Sequence, residues 1–252
     1  MNLELQNKNV LITGATGGIG TAICKHFLEE GANVIALYRN ERKLNIWLAL
    51  MKVDSSKTDH IFTYLTNLDD EDQTAKAMKK VLEEHLTIHI FVHCAGITRE
   101  APFALHSSED IEKIMQTNFT SVVNLTQLVL KPMFKQKRGA IIYISSVLAH
   151  KKGRGASIYA SSKASLDRFM KVLAIESGKK NIRVNSICPG FIESNMSKAL
   201  LDRAGKMVLN DTALGRMGSP DEIAKAVLFL ASENTASFIT GATINVDGGL
   251  SL

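Results

Sequence analysis

A tyrosine and a lysine lie four positions apart in the segment "SIYASSKASL", residues 157–166. If this segment is helical, four residues turn the chain by about 400°, so Tyr159 and Lys163 share one face. A phenol has a reference pKa of about 10. An ammonium at about 4 Å, in an effective dielectric of about 20, would favour the phenolate by roughly 4 kcal/mol, or about three pKa units. The spacing therefore predicts a tyrosine that exchanges protons near neutral pH.

The pair alone does not establish catalysis, because short motifs of this kind also arise by chance on exposed helices. An exposed pair of helical neighbours is the alternative interpretation of Tyr159 and Lys163. The two interpretations differ in what else the sequence must contain. A catalytic pair needs a bound reactant and further polar groups that meet it in the fold.

A glycine-rich segment, "TGATGGIG" at residues 13–20, follows the first predicted strand and opens a predicted helix. Gly14, Gly18 and Gly20 permit a tight turn and let the backbone approach a pyrophosphate at the helix N-terminus. The spacing is a variant of the dinucleotide-binding motif. A simple turn is the alternative, but the position at the first strand–helix junction favours a phosphate-binding loop.

The residues after the second predicted strand bear on which dinucleotide binds. Sites that prefer NAD usually place an acidic side chain there, which accepts a hydrogen bond from the ribose 2′-hydroxyl. The segment "NVIALYRNERKL" instead places Arg39 at the strand end, and its first carboxylate is Glu41. A guanidinium suits a 2′-phosphate and cannot accept a hydrogen bond. The pattern favours NADPH, and an ordinary surface loop at Arg39 is the alternative.

Short apolar runs alternate with longer amphipathic segments along the chain. Runs such as "NVLITG" and "IHIFVHCAG" predict buried strands, and segments such as "IGTAICKHFLEEGA" predict helices. The alternation predicts an α/β fold, a Rossmann-like, doubly wound, mostly parallel sheet of about seven strands with helices on both faces. No linker or repeat divides the chain, so residues 1–252 are expected to form one dinucleotide-binding and catalytic domain. Ligands of such folds lie beyond the carboxyl ends of the strands, where the polar motifs fall.

The composition excludes several classes of protein. Apolar residues make up 45% and charged residues 22% of the chain, as in ordinary globular proteins. The chain shows no secretory signal, and no apolar run approaches the roughly 18 residues of a membrane span, so a cytoplasmic protein without membrane contact is expected. The net charge of +5 lies in short scattered clusters, which does not favour nucleic-acid binding. Three widely spaced cysteines, Cys24, Cys94 and Cys188, are typical of buried packing residues, and no metal site is expected.

A series of short motifs follows the glycine loop in order: "CAG" at 94–96, "TNF" at 117–119, "ISS" at 144–146, Tyr159 with Lys163, "PG" at 189–190 and "VDGG" at 246–249. Together they resemble the classical short-chain dehydrogenase/reductase family over essentially the whole chain. None of these motifs is specific alone. Their order and spacing as a set are highly specific.

The resemblance implies a catalytic tetrad of Asn118, Ser146, Tyr159 and Lys163, in which Ser146 is preferred to Ser145 for its spacing from Tyr159. The implied reaction is hydride transfer from a nicotinamide to a carbonyl carbon. Tyr159 would donate a proton to the developing alkoxide, and Ser146 would hold that oxygen by a hydrogen bond. Lys163 would lower the pKa of the phenol and contact the nicotinamide ribose. Asn118 would anchor a water that relays protons to Lys163.

The resemblance also implies a set of contacts to NADPH or NADP+. The backbone of Ile192 would meet the carboxamide end of the cofactor, and Ser194 stands at a matching hydroxyl position. Asn67 stands where the family usually has an aspartate that meets the adenine. The expected cofactor-binding residues are Gly14, Thr16, Gly18, Ile19, Gly20, Arg39, Asn67, Leu68, Ala95, Gly96, Tyr159, Lys163, Pro189, Gly190, Ile192 and Ser194.

Three segments narrow the resemblance within the family: "AGITR" (95–99), "PGFIESNM" (189–196) and "LGRMGSPDEIA" (214–224). They resemble 3-oxoacyl-[acyl-carrier-protein] reductases of type II fatty acid synthesis. This implies NADPH-dependent reduction of a 3-oxoacyl thioester to the 3-hydroxyacyl product, with substrate choice in a lid at about 191–215. The alternatives are another ketoreductase of the family, acting on an acyl-CoA, a sugar or a small ketone, and a non-catalytic nucleotide-binding partner subunit.

The same resemblance implies protein partners. Lys137 or Arg138, and Lys179 or Lys180, stand where such enzymes carry basic residues that meet an acidic acyl carrier protein, and opposite charge there would mainly raise the encounter rate. Relatives are usually tetramers that pack the helix bearing Tyr159, the helix before it and the C-terminal strand. A homotetramer is therefore expected.

Some positions depart from the family pattern. His93 and Cys94 replace two asparagines, and a packed or capping histidine is favoured over a catalytic one. Gly17 stands where many NADPH enzymes carry a basic residue, which leaves more of the 2′-phosphate to the arginine at the strand end. The segment 44–60 reads unlike the usual family stretch, and only packing is expected of Trp47 within it.

Overall fold

Seven parallel strands form a single sheet in the order β3-β2-β1-β4-β5-β6-β7. The structure, a computed structural model, describes residues 2–54, 58–193 and 210–252. Helices cover both faces of the sheet, so the predicted doubly wound α/β fold is confirmed. The strands are β1 Asn9–Thr13, β2 Asn33–Tyr38, β3 Ile61–Leu65, β4 Ile90–His93, β5 Gly139–Ile144, β6 Ile182–Pro189 and β7 Thr243–Val246.

Eight α-helices lie within the described residues. They are α1 Gly18–Glu29, α2 Glu41–Asp54, α3 Glu71–His85, α4 Ser108–Met115, α5 Ser121–Gln136, α6 Ser157–Gly178, α7 Pro220–Ala231 and α8 Glu233–Ala236. A π-helical turn, Gln116–Thr120, joins α4 to α5. Short 3-10 turns lie at Thr58–His60, Phe103–Leu105 and Val147–Ala149.

The sheet is buried on both faces because successive side chains of each strand enter opposite apolar layers. On β1, Val10 and Ile12 belong to the layer that contains Ile23 of α1 and Val227 of α7. Leu11, between them, belongs to the layer formed with α3, α5 and α6. Burial on both faces explains why strands such as "NVLIT" are apolar at almost every position.

The chain changes direction across the sheet between β1 and β4. After β1 it adds β2 and β3 on one side, and it then returns to place β4 on the other side of β1. The connections diverge at the carboxyl ends of β1 and β4, which leaves the crevice where open α/β sheets bind ligands. The predicted motifs therefore leave the sheet at its ligand-binding edge.

Helix α2 accounts for most of the segment 44–60. Trp47 lies on this helix, is 2% exposed and packs in the same layer as α1. The indole N–H of Trp47 is buried and meets no hydrogen-bond acceptor among the described residues. Packing is thus the role that the structure gives Trp47.

Two expectations extend beyond the described residues. Of the lid expected at about 191–215, only 191–193 and 210–215 are described, and a single domain over 1–252 stays a prediction. No helix in the described ranges combines the length and the hydropathy that a bilayer span requires.

Candidate active site

The glycine loop connects β1 to α1 and packs tightly against the segment after β4. Gly14 has a φ of +69°, in the left-handed region that glycine adopts readily, and a Cβ there would lie 2.7 Å from the backbone nitrogen of Ala95. A Cβ on Gly20 would lie 2.1 Å from the carbonyl oxygen of Gly14. Both positions therefore require glycine, because any side chain would push the two segments apart.

The N-terminus of α1 is open to an anion. Its N-cap residue, Gly17, provides no side-chain hydrogen bond, and the first turn carries no acidic residue. By contrast, Asp70, Ser107 and Ser219 cap α3, α4 and α7 with their side chains. Gly17 and Gly18 are exposed. Free backbone N–H groups at the positive end of a helix suit a pyrophosphate, so this loop fits the dinucleotide that the sequence predicts.

Arg39 follows β2, the strand that pairs directly with β1. The residue is exposed, and its guanidinium has no hydrogen bond or ion pair among the described residues. Thr16 and Ile19, on the glycine loop and the first turn of α1, are partly exposed. A free cation at the end of β2 fits the 2′-phosphate of NADPH.

Asn118 lies in the π-helical turn between α4 and α5, an irregularity that often marks functional sites. Its buried side chain accepts a hydrogen bond from the N–H of Ile97 and donates one to the carbonyl of Ile97, each at 2.8 Å. It also donates to Ser162 Oγ at 3.0 Å, and Ser162 donates to the carbonyl of Tyr159 at 2.7 Å. Asn118 therefore ties the segment after β4 to the helix of Tyr159, and only its oxygen retains capacity for a water.

Ser145 and Ser146, which follow β5, have different partners. The hydroxyl of Ser146 interacts with the phenol of Tyr159 in a way that lowers the pKa of the phenol, and it accepts a hydrogen bond from the N–H of Leu148 at 3.2 Å. The hydroxyl of Ser145 donates to the carbonyl of Lys163 at 3.4 Å. The geometry favours Ser146, as the sequence did, for the residue that would share a substrate oxygen with Tyr159.

Lys163 lies one helical turn after Tyr159 and is 4% exposed. Its Nζ donates a hydrogen bond to the carbonyl of Ile144 at 2.8 Å and lies 5.9 Å from the centre of the Tyr159 ring. Burial lowers the pKa of Lys163. Removal from water also raises the pKa of Tyr159, and this effect is larger than the lowering caused by the neighbouring hydroxyl of Ser146.

The expectation that Lys163 lowers the pKa of Tyr159 is therefore wrong for the arrangement that the protein's own residues form. It assumed an ammonium about 4 Å from the phenol in a moderately polar medium. Lys163 is buried and Tyr159 is only partly exposed, and this removal from water disfavours the charged form of each. A phenol with a raised pKa is protonated at neutral pH, which is the form that donates a proton.

His93 ends β4 and is completely buried. Thr13 Oγ1 accepts hydrogen bonds from the N–H groups of Cys94 and Ala95, each at 3.2 Å, and lies 2.9 Å from His93 Nδ1. Because the lone pairs of this hydroxyl serve the two N–H groups, its proton goes to Nδ1, and the ring proton of His93 lies on Nε2. Burial, with a contribution from the charge of Lys163, lowers the pKa of His93 to about 3. His93 is therefore a neutral histidine that braces the end of β4, in agreement with the packed or capping histidine that the sequence favoured.

The segment after β3 carries two of the expected cofactor residues. The carbonyl of Asn67 accepts a hydrogen bond from the N–H of Asp70, the N-cap of α3, at 2.9 Å. Leu68 packs against the apolar layer beneath α3 and α5. Both residues leave the sheet at the same edge as the glycine loop, since β3 is parallel to β2.

The segment after β6 lies against the last strand. The N–H of Gly190, which follows Pro189, donates to the carbonyl of Val246 at 3.1 Å, and a Cβ on Gly190 would lie 2.7 Å from the Cα of Asp247. Ile192 is buried and forms a parallel bridge with Gly218. Ser194 lies outside the described residues.

Similarity to known proteins extends over nearly the whole chain. A family model described as enoyl-(acyl carrier protein) reductase matches residues 14–251. The 3-oxoacyl-[acyl-carrier-protein] reductase FabG of Chlamydia muridarum is 40% identical over 250 residues, 99% of this chain and 100% of that protein. The reductase of the same name from Thermotoga maritima is 38% identical over 248 residues, 98% of this chain and 99% of that protein.

Solved structures agree with the sequence comparisons. A short-chain type dehydrogenase/reductase from Mycobacterium ulcerans superposes with a TM-score of 0.92 at 30% identity, covering 98% of this chain and 90% of that chain. The chain belongs to the short-chain dehydrogenase/reductase family. A second solved structure, a gluconate 5-dehydrogenase from Burkholderia cenocepacia in complex with NADP and tartrate, superposes with a TM-score of 0.91 at 28% identity and covers 99% of this chain and 97% of that chain.

In this short-chain dehydrogenase/reductase, Gly96 lies between two members of the tetrad. A Cβ on Gly96 would lie 3.3 Å from Asn118 Oδ1 and 3.4 Å from Lys163 Nζ. Sequence reasoning missed Thr13 and Ser162, which hold the segment after β4 and the start of α6 through their hydroxyls. Their only signal in the sequence is a hydroxyl residue beside a motif, which is too common to single them out.

Proposed function

We propose that the protein reduces 3-oxoacyl thioesters carried on acyl carrier protein to 3-hydroxyacyl thioesters in fatty acid biosynthesis, with NADPH as the hydride donor. One observation carries the proposal. The chain aligns over 99% and 98% of its length, at 40% and 38% identity, with two reductases named for this reaction. The tetrad and the glycine loop lie at one edge of the sheet, as a single site for that reaction requires.

The residues that would hold NADPH follow from their placement. The open N-terminus of α1 would bind the pyrophosphate, Arg39 would bind the 2′-phosphate and the ammonium of Lys163 would contact the nicotinamide ribose. A solved relative contains NADP, which agrees with this assignment. When bound, the cofactor supplies the hydride that adds to the carbonyl carbon.

Tyr159 and Ser146 act on the carbonyl oxygen. As that oxygen gains negative charge, the phenol of Tyr159 donates its proton to it, and the hydroxyl of Ser146 stabilises it by a hydrogen bond. The raised pKa of Tyr159 keeps the phenol protonated before this step. Asn118 holds the backbone at Ile97, and Gly96 leaves room for both the Asn118 amide and the ammonium of Lys163.

Enoyl reduction is a second candidate, because the matching family model is described by that activity. Reduction of a 3-oxoacyl group delivers a proton to oxygen, whereas enoyl reduction delivers it to carbon. Two neighbouring hydroxyls, those of Tyr159 and Ser146, can hydrogen-bond a carbonyl oxygen as it gains charge, which favours the first reaction.

The test compares NADPH oxidation with acetoacetyl and crotonyl groups, each attached to acyl carrier protein and to CoA. We expect turnover with the acetoacetyl thioesters, faster with the carrier-bound form at equal concentration. Turnover with crotonyl thioesters alone would replace the proposal by enoyl reduction. No turnover with any of the four, in protein that binds NADPH, would indicate a non-catalytic subunit.

The residues proposed to dock the carrier protein lie at the amino-terminal edge of the sheet. Lys137 is the C-cap of α5 and Lys179 is the C-cap of α6. They therefore precede β5 and β6, whose opposite ends lead to Ser146 and to Pro189. Arg138 is held by Glu233 in two contacts of 2.5 Å. A carrier docked at this edge lies roughly 20–25 Å, one strand length, from the tetrad of the same subunit. Docking by Lys137 and Lys180 would therefore serve a neighbouring subunit, which requires the homotetramer that we also propose.

A cytoplasmic location belongs to the same proposal. Cys24, Cys94 and Cys188 are all free thiols, which suits a reducing compartment. Fractionation of the native cell, with an antibody to the protein, would test the location directly.

A further inference from the structure

Three side chains with metal-binding atoms meet beside the catalytic tetrad. They come from separate segments: His150 from the turn after β5, Asp167 from α6 and Cys188 from β6. His150 Nε2 lies 2.8 Å from Asp167 Oδ2, and Cys188 Sγ lies 3.6 Å from the same oxygen. All three donor atoms lie within 4.8 Å of one another.

The protein satisfies the carboxylate of Asp167 on one side only. The residue is 2% exposed, and its Oδ2 receives both of the contacts above. The other oxygen, Oδ1, is buried and has no hydrogen-bond partner among the described residues. A buried carboxylate whose second oxygen has no partner is costly, and a cation bound by this carboxylate would lower that cost.

We propose that His150, Asp167 and Cys188 bind one divalent transition-metal ion of the Zn²⁺ type. Imidazole nitrogen, carboxylate oxygen and thiolate sulfur are the ligands that Zn²⁺ takes in proteins, and three protein ligands with one water complete a common tetrahedral site. Mg²⁺ and Ca²⁺ prefer sets of oxygen ligands, which this cluster does not offer.

The cluster has a route for the ion to enter. The side chain of His150 is 43% exposed, whereas that of Asp167 is 3% exposed and Cys188 is completely buried. His150 therefore lies between the two buried ligands and solvent. On binding, the metal replaces the proton of the Cys188 thiol, which leaves to solvent. It also replaces the proton that His150 Nε2 shares with Asp167, and the ring then carries its proton on Nδ1, so that Nε2 can bind the metal.

A bound ion would join three segments of the active site. Asp167 lies one helical turn after Lys163, Cys188 directly precedes Pro189, and His150 follows the short turn that begins after Ser146. Metal binding should therefore raise the thermal stability of the protein. The site departs from the sequence-based expectation of no metal, because its ligands come from distant segments and form no spacing motif.

The test titrates tag-free protein, treated with EDTA and dialysed, with Co²⁺ and then with Zn²⁺. We expect one Co²⁺ per chain with a thiolate-to-cobalt charge-transfer absorption, its loss on addition of Zn²⁺, and a melting temperature that rises with Zn²⁺ until one equivalent is bound. Cys188→Ser should abolish the absorption. His150→Ala should weaken Co²⁺ binding by at least about tenfold, the smallest loss that even outer-shell changes typically cause.

The matched control is Cys24→Ser, which changes another buried free thiol in a different apolar layer and should leave the absorption unchanged. If Cys188→Ser does not fold, as judged by circular dichroism, the more exposed His150→Ala decides the question. Absence of Co²⁺ binding by the wild-type protein would overturn the proposal. Binding that is unaltered in the folded variants would overturn it equally.

Discussion

The ammonium of Lys163 donates a hydrogen bond to the carbonyl oxygen of Ile144, the last residue of β5, at 2.8 Å. This contact fixes the lysine relative to the strand whose end leads directly to Ser146. A buried ammonium requires such partners, and Asp167, one turn further along α6, also favours its charged form. The lysine is thus held by the protein at the carboxyl edge of the sheet, rather than against the phenol of Tyr159.

Lys163→Met should therefore impair cofactor binding as well as turnover. Loss of the ammonium removes the proposed ribose contact and leaves the carbonyl of Ile144 without its donor. We expect kcat to fall by about 10²-fold or more and the Kd for NADPH to rise, measured by stopped-flow absorbance and by NADPH fluorescence. Lys171→Met, an exposed change on the same helix, should alter neither quantity. Unchanged NADPH affinity in Lys163→Met would exclude the ribose contact.

Tyr159→Phe should abolish turnover and spare NADPH binding. The variant loses only the hydroxyl that donates the proton, so kcat should fall by about 10³-fold or more, within the range of general acid catalysis. NADPH fluorescence should give nearly the wild-type Kd. Tyr64→Phe, far along the sheet on the outermost strand β3, is the matched control and should keep its activity. Appreciable turnover by Tyr159→Phe would assign the proton to another group.

The pH profile should reflect the raised pKa of Tyr159. Reduction requires the protonated phenol, so its rate should hold through neutral pH and fall only as the pH rises through this pKa. Oxidation of a 3-hydroxyacyl thioester by NADP+ requires the phenolate, so its rate should rise over the same interval. The rates of reduction and of oxidation, each measured against pH at saturating cofactor, test these two opposite pH dependences. A reduction rate that already falls near pH 7 would indicate that bound cofactor lowers the pKa strongly.

The sequence predicted the fold better than it predicted the electrostatics of the candidate site. Apolar strand runs and the glycines at their ends follow directly from local chemistry, and the sheet has seven parallel strands, as expected. The pKa of Tyr159 depends on how deeply tertiary packing buries the ring, which helical spacing does not show. The contact between Asn118 and Ser162 depends in the same way on a π-helical turn, whose position the residue pattern of α4 and α5 does not reveal.

Arg39→Ala should reduce the preference for NADPH over NADH. A charge-assisted hydrogen bond to the 2′-phosphate contributes roughly 1.5–3 kcal/mol, so kcat/KM for NADPH should fall by about 10- to 100-fold while that for NADH changes little. Arg168→Ala, an exposed arginine on α6, is the control and should leave the ratio as in the wild type. An unaltered ratio in Arg39→Ala would place the 2′-phosphate at other residues.

His93→Asn should make the protein less sensitive to acid. The folded pKa of His93 is about 3, well below the unfolded value of about 6.5, so the unfolded state binds more protons below pH 6.5. Protonation of His93 in the unfolded state should therefore lower the unfolding free energy by about 2 kcal/mol when the pH falls from 7 to 5. Urea denaturation at pH 7 and pH 5 should show that the unfolding free energy of the variant falls less than that of the wild type, by this amount. The diagnostic quantity is the change in unfolding free energy between the two pH values, because replacement of a buried ring lowers the unfolding free energy at both. An equal change in the variant and the wild type would mean that His93 is not neutral in the folded protein.

Mixed oligomers should show whether the docking residues serve a neighbouring subunit. Subunits with Lys137→Glu and Lys180→Glu retain their tetrads and should lose carrier-bound activity more than CoA-bound activity, because charge reversal repels an acidic carrier. Subunits with Tyr159→Phe should be inactive, but they retain Lys137 and Lys180. If a carrier that docks on one subunit delivers its substrate to the tetrad of another, refolding the two kinds of subunit together should restore activity with carrier-bound substrate. This activity should exceed the sum of the activities of the two kinds refolded separately. Lys225→Glu, on α7, is the control for charge alone and should leave both activities unchanged. An activity equal to that sum, in oligomers shown to be mixed, would place carrier docking on the same subunit as the tetrad it serves.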